Sequence, residues 1–225
     1  MDEAVAIFGS AAVSGGYDDT IKIYDLSSSS EIGSLHQSSA ITSLSFFTSP
    51  SLPSFPRNLL ATDADGCLSI YDVDPFVHLK TLKVHKNGVN SLSVHPYGGL
   101  ALTVGHDECL DMVNLVRGRR NFYCKLSKES SIVQFNETGE KFFMIADEKI
   151  SVHESEDARL IFELENGKRI LCAARGTQAA GQQQEAADFN VLQLEIVKDP
   201  QAVELQQLEQ GVGQNLMGLE VGQEG

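Results

Sequence analysis

The stretch "VHKNGVNSLSVHPYGGLALTVGHDECLDMVNL", Val84 to Leu115, decides the fold. It opens on a histidine, His85, and runs into an alternating segment, Val89 to Val94. A Pro-Tyr-Gly-Gly turn follows, then a second apolar run, Leu100 to Val104. The turn His106-Asp107-Glu108 leads into a third run, Cys109 to Leu115, and a fourth strand is predicted over Asn121 to Leu126. Period-two alternation of this kind belongs to strands with two differently packed faces. Turn residues recur roughly every 8 to 12 positions and β-branched residues dominate, which excludes a helical reading. The unit is therefore four antiparallel strands.

The same phrase recurs outward from this stretch. "TIKIYDL" ends on Tyr24-Asp25-Leu26 and "CLSIYDV" on Tyr71-Asp72-Val73. Val113-Asn114-Leu115 and the fainter Val152-His153-Glu154 continue the series. A period of about 40–45 residues with strand-like content is the mark of a propeller blade. Each phrase follows a tight turn: Tyr17-Asp18-Asp19, Ala64-Asp65-Gly66, His106-Asp107-Glu108 or Asp147-Glu148. Asp and Gly suit such turns because they tolerate the dihedrals and Asp can bond its own backbone. Third strands are predicted near Ile21–Leu26, Leu68–Val73, Leu110–Leu115 and Lys149–His153. The segment "FFTSPSLPSFPRN", Phe46 to Asn58, reads as a surface insertion between two strands, with a partner-binding loop as the alternative, kept out of any ladder by its three prolines.

Bulk properties narrow the function. Over 225 residues the formal net charge is −14, which argues against a nucleic-acid surface, since the phosphate backbone repels such a chain. The densest basic cluster, Arg117 to Arg120, reads as a solvated loop, with contact to RNA or an acidic partner as the alternative. Four cysteines, Cys67, Cys109, Cys124 and Cys172, form no Cys-x-x-Cys pair and read as intracellular thiols. The start "MDEAVAIFGSAAV" is not a secretory signal, and no apolar run approaches the ~20 residues of a membrane span. The six histidines show no metal-ligand spacing, and neither a Gly-x-Gly-x-x-Gly nor a Gly-Lys-Ser/Thr loop is present. No cofactor, no metal, no direct nucleic acid and no membrane are expected, and the chain is not expected to be an enzyme.

This layout resembles the WD-repeat β-propellers, in which a His before the first strand meets an Asp in the turn between the second and third. On that pattern His85 pairs with Asp107 and His36 with Asp65, and a hydroxyl such as Thr103 extends the chain of hydrogen bonds. The chain has no Trp, and the slots that usually hold it carry Tyr24, Tyr71, Val113 and His153. The hydrogen-bonding chain is therefore expected to be incomplete in the third and fourth units. "GYDDTIKIYDL", the Val84–Arg120 stretch and "EKISVHESEDARLIFELENGKRI" are similar to the p21-activated kinase-interacting protein family in its plant-like form, from about Ser10 to Ala174. The resemblance implies a non-enzymatic scaffold acting in large ribosomal subunit assembly in the nucleolus and in negative regulation of p21-activated kinases. It implies pre-60S assembly factors and p21-activated kinase as partners, and a nuclear or nucleolar location, otherwise cytoplasmic but not secreted. A generic peptide-reading adaptor of chromatin or ubiquitin-ligase complexes, or a non-functional truncated isoform, stands as the alternative.

The expected organisation is an all-β partial propeller of about four blades over residues 1–174, followed by a Gln/Glu/Gly-rich tail over 175–225. In that tail Phe189 to Val197 reads as a strand and "QAVELQQLEQ" as a short helix, with the remainder disordered. Because the family has about seven blades, the chain is expected to be a truncated form. Its open blade flanks are then expected to favour self-association, and the missing Lys-rich tail would weaken nucleolar targeting.

Overall fold

The computed structural model describes residues 2–49 and 52–170, and these form sixteen strands and no helix. The strands fall into four antiparallel sheets of four. Sheet one holds β1 (Asp2–Phe8), β2 (Ala11–Gly16), β3 (Thr20–Asp25) and β4 (Ser30–His36). Sheet two holds β5 (Ile41–Ser49), β6 (Leu52–Asp63), β7 (Cys67–Val73) and β8 (Phe76–Lys83). Sheet three holds β9 (Val89–Val94), β10 (Leu100–Gly105), β11 (Cys109–Asn114) and β12 (Arg119–Lys125). Sheet four holds β13 (Ile132–Phe135), β14 (Lys141–Ala146), β15 (Lys149–Glu154) and β16 (Leu160–Glu165). In every sheet neighbours in space are neighbours in sequence, which is the up-and-down meander of a propeller blade. All four sheets lie in one compact unit, Met1–Arg169. A second unit, Ile170–Gly225, enters the described residues only at Ile170. The strand, helix and disordered tail expected after Ala174 lie outside them.

The ladders show that the four sheets are copies of one unit. Pairing between third and fourth strands slips by one residue at the same place each time: between Ile23 and Tyr24, Ile70 and Tyr71, Met112 and Val113, Val152 and His153. The recurrent phrase therefore marks a β-bulge, a device that adds local twist. The turn before each third strand also repeats. Three-residue turns end on a left-handed residue, Asp19, Gly66 or Glu108, and the two-residue turn of sheet four puts it first, at Asp147. At Gly66 a glycine is needed, because a Cβ there would run into the carbonyl oxygens of His85 and Asn87.

The core lies between sheets. Val13, Ile21 and Ile23 of sheet one pack on Ile41, Leu59 and Ala61 of sheet two. Leu60, Leu68 and Ile70 turn the other way, onto Val89, Leu92 and Ala101 of sheet three. Leu102, Val104 and Leu110 then meet Val133, Phe135 and Phe142 of sheet four. The middle sheets are thus buried on both faces, so their second strands read as continuous apolar runs, as in "LLAT" (59–62) and "LALTV" (100–104).

Two expectations change. The proline-containing stretch after Phe46 does not leave the ladder: β5 and β6 continue to pair through Thr48↔Pro56 and Ser49↔Leu52. Two register shifts, around Thr48, supply the irregular positions at which a strand tolerates proline. The basic run is only half a loop. Arg117 and Gly118 turn the chain, whereas Arg119 and Arg120 lie in β12, opposite Asn114 and Val113.

Candidate functional site

Among the described residues, a connected polar group surrounds His85, in the segment between β8 and β9. The N–H groups of Val84 and His85 both donate to the carbonyl of Gly66 at 3.0 Å, so the turn of sheet two holds the segment that enters sheet three. His85 is 2% exposed. Its Nδ1 lies 2.8 Å from Oδ1 of Asp107, and its Nε2 lies 2.9 Å from Oγ1 of Thr103 on β10. The other oxygen of Asp107 accepts the N–H of Lys86 at 2.9 Å. An ionised Asp107 accepts a hydrogen bond from Nδ1, and in the neutral ring with that tautomer the Thr103 hydroxyl donates to Nε2. Burial pushes the Asp107 carboxyl up, but the Lys86 N–H and the His85 ring more than offset it and hold the group below the usual carboxylate range. Gly105 makes the room, since a Cβ there would stand 2.7 Å from His85 Cγ.

Hydroxyl, imidazole and carboxylate in a row is also the arrangement of a nucleophilic triad. Here Thr103 is fully buried and His85 nearly so, and no substrate atom can reach the hydroxyl. The arrangement therefore acts as a lock between a loop, a strand and a turn. Beyond Thr103 it stops, because the slot at 113 holds an apolar valine. Thr103→Val keeps the shape and strips Nε2 of its donor. It should cost about 1 kcal/mol in a denaturant melt, and an unchanged midpoint would remove Thr103 from the network.

His36 and Asp65 are not brought together. His36 is exposed, sits on β4 opposite Thr20, and meets its Oγ1 at 3.2 Å. Ladder positions explain the miss. Opposite the first residue of the third strand stand His36 in sheet one and Lys83 in sheet two. His85 lies two residues beyond Lys83, and two residues beyond His36 stands Ser38. The room is gone as well: the partner of Ile41 is Asp63, where the partner of Val89 is Gly105. The Asp63 carboxylate fills that place and caps its own turn, with Oδ1 accepting the N–H groups of Asp65 and Cys67 at 3.1 and 2.8 Å. Asp65 is exposed, and its carbonyl receives the Lys83 ammonium.

Sheet three carries a second buried charge that the repeat did not point to. Asp111 on β11 is completely buried, and Arg120 of β12 brings Nη2 to 2.5 Å from its Oδ2. Neither carboxylate oxygen has a well-directed hydrogen bond, so the contact is ionic. Burial raises the Asp111 carboxyl above its usual range, with the guanidinium only partly opposing it. Arg120 stands opposite Val113, so a small side chain occupies the slot where sheet two has Tyr71 against His78. The guanidinium also reaches the carbonyl of Val84, next to His85, at 2.5 Å. A carboxylate at the position where the other third strands carry Lys22, Ser69 and Ser151 was the available signal.

In sheet four the slot residue is His153, stacked on Phe142 with centroids 5.2 Å apart and bonded to Ser151 Oγ and the Ala158 carbonyl, each at 3.0 Å. Burial lowers its basicity, and the Ala158 carbonyl only partly opposes this. The imidazole is held neutral, so this contribution to stability is present above the unfolded-state value near 6.5 and is lost as pH falls below it. His153→Phe should flatten the loss of melting temperature between about pH 6.5 and 5, and parallel curves would contradict this. Burial lowers His95 with the same sign, so some slope should remain. Among the described residues no group of three or more His, Cys, Asp and Glu could hold a metal ion, and Cys67, Cys109 and Cys124 are free thiols.

Comparison with known proteins fits this geometry. Residues 76–110 match the family described as "WD domain, G-beta repeat", a span that contains His85, Thr103 and Asp107. The chain is 34% identical over 176 residues to the "p21-activated protein kinase-interacting protein 1-like" of Xenopus laevis, covering 78% of this chain and 47% of that protein. It is 37% identical over 168 residues to the human "p21-activated protein kinase-interacting protein 1", covering 74% and 41%. It is 33% identical over 138 residues to "Shk1 kinase-binding protein 15" of Schizosaccharomyces pombe, covering 60% and 39%. The chain spans less than half the length of these curated relatives.

Proposed function

We propose that this chain, which belongs to the WD-repeat family of p21-activated protein kinase-interacting proteins, is a non-enzymatic scaffold that binds protein partners. Its partners are a p21-activated kinase, which it restrains, and assembly factors of the large ribosomal subunit, met in the nucleolus. The kinase half is supported by relatives in animals and fission yeast whose names record kinase binding. The ribosomal half is supported by the family resemblance of the Val84–Arg120 stretch. The observation that carries the scaffold reading is the sealing of the hydroxyl–imidazole–carboxylate row: Thr103 and His85 are buried, and the Asp107 carboxylate spends its oxygens on the His85 ring and the Lys86 N–H. Stiff sheets that present their outer strands and turns are what a binding platform needs.

The test is affinity purification of the tagged chain followed by mass spectrometry. Pre-60S factors and a p21-activated kinase are expected among the captured proteins. Histones or cullin adaptors in their place would replace this reading with that of a peptide-reading adaptor.

A further inference from the structure

We propose that the groove between sheets two and three binds an extended acidic peptide carrying one aliphatic anchor. This deepens the scaffold reading, on which it rests, by naming the surface and the chemistry of the partner. The groove encloses about 400 Å³, within the range of sites that seat a side chain or two. Phe47 and Ile70, both buried, form its floor. Leu79 on β8 and Val116 in the β11–β12 turn stand on its rim, 54% and 74% exposed. Two large aliphatic side chains left in water around an apolar floor cost free energy that a bound apolar side chain would recover.

The charges select the occupant. Lys80 lies across Gly118, and its ammonium donates to the Gly118 carbonyl at 2.6 Å, which fixes a cation at the rim. A Cβ at Gly118 would come within 3.0 Å of that ammonium, so the glycine permits the crossing. Arg117 lines the same groove, and its guanidinium makes no hydrogen bond or ion pair among the described residues. The carboxylate among the lining residues, Asp72, already accepts the N–H of Val73 at 2.8 Å. The groove is therefore locally cationic on a chain of net charge −14, and a cationic partner would already be satisfied elsewhere on the surface. RNA would need exposed rings to stack its bases, whereas the ring here, Phe47, is buried in the floor.

The experiment selects a displayed library of random peptides on the whole chain, then measures the enriched peptide by fluorescence anisotropy. The expected result is enrichment of Leu, Ile or Met beside Asp or Glu. Affinity should then fall about tenfold in Arg117→Glu and in Val116→Asp, both surface changes that leave the melt unaltered. Basic peptides, equal affinity in both variants, displacement by oligouridine, or a concentration-dependent dimer lost in Val116→Asp would each overturn the proposal. Affinity purification of Val116→Asp separates the two readings. If it captures the same kinase and pre-60S factors as the parent while the peptide result fails, the groove proposal falls and the scaffold stands. If neither chain captures them, the scaffold reading falls first.

Discussion

Replacing Arg120 by leucine should cost about 3 kcal/mol at pH 7, and the loss should shrink in acid. The reason is Asp111, a carboxylate with no exposure that has Arg120 as its counter-charge. Removing one partner of a buried ion pair leaves the other uncompensated, which costs more than the pair itself contributes. Arg120 is itself 45% exposed, so the lower end of the usual range applies. The sign with pH follows from the direction of the shift. Burial already raises Asp111 in the folded protein, and loss of the guanidinium raises it further. A carboxyl with a raised folded value penalises the fold once it ionises, so stability falls as pH rises from about 3.9 through that value. Parent and Arg120→Leu melts should therefore converge toward pH 4, and adding Asp111→Asn should return part of the loss at pH 7. Equal stability of parent and variant at pH 7 would show that the ion pair contributes nothing.

Asp107→Ala should cost roughly 1–3 kcal/mol, while Asp65→Ala should change stability by less than about 0.5 kcal/mol. The two residues hold corresponding places in their turns, and spacing alone would give them one role. Asp107 accepts from His85 and Lys86, and its removal leaves a buried ring N–H without a partner. Asp65 stands in solvent. Because Asp107 is held below its usual range, its contribution is present above about pH 3.9 and is lost as pH falls through the folded value. The gap between parent and Asp107→Ala should narrow only in strong acid. Equal damage from the two substitutions in denaturant melts would mean that His36 and Asp65 form a lock after all.

What the sequence makes legible is the repeat, and the reason is local. A turn, an alternating run and a bulged Tyr-Asp ending are each fixed by residues adjacent in the chain, so the third strands fall within a residue or two of their predicted ends. Sheet three is complete enough in its chemistry that His85, Thr103 and Asp107 can be named together. The rest depends on register. Whether a histidine before a first strand reaches the turn is decided by two ladder positions and by the side chain at 63 or 105, which spacing does not reveal. Asp111 and Arg120 meet only because the slip between Met112 and Val113 turns β12 by one residue. The prolines after Phe46 read as a break, yet the ladder runs on past them and takes Pro56 at an irregular position, opposite Thr48.

The scaffold proposal has surfaces of these sheets bind a kinase of the p21-activated class. The direct measurement is a calorimetric titration of the purified chain with that kinase, at physiological salt, with the fold verified by its melt. Saturable binding at one-to-one stoichiometry, accompanied by reduced kinase activity, is the expected result. A folded chain that gives no saturable heat and leaves the kinase rate unchanged would contradict it.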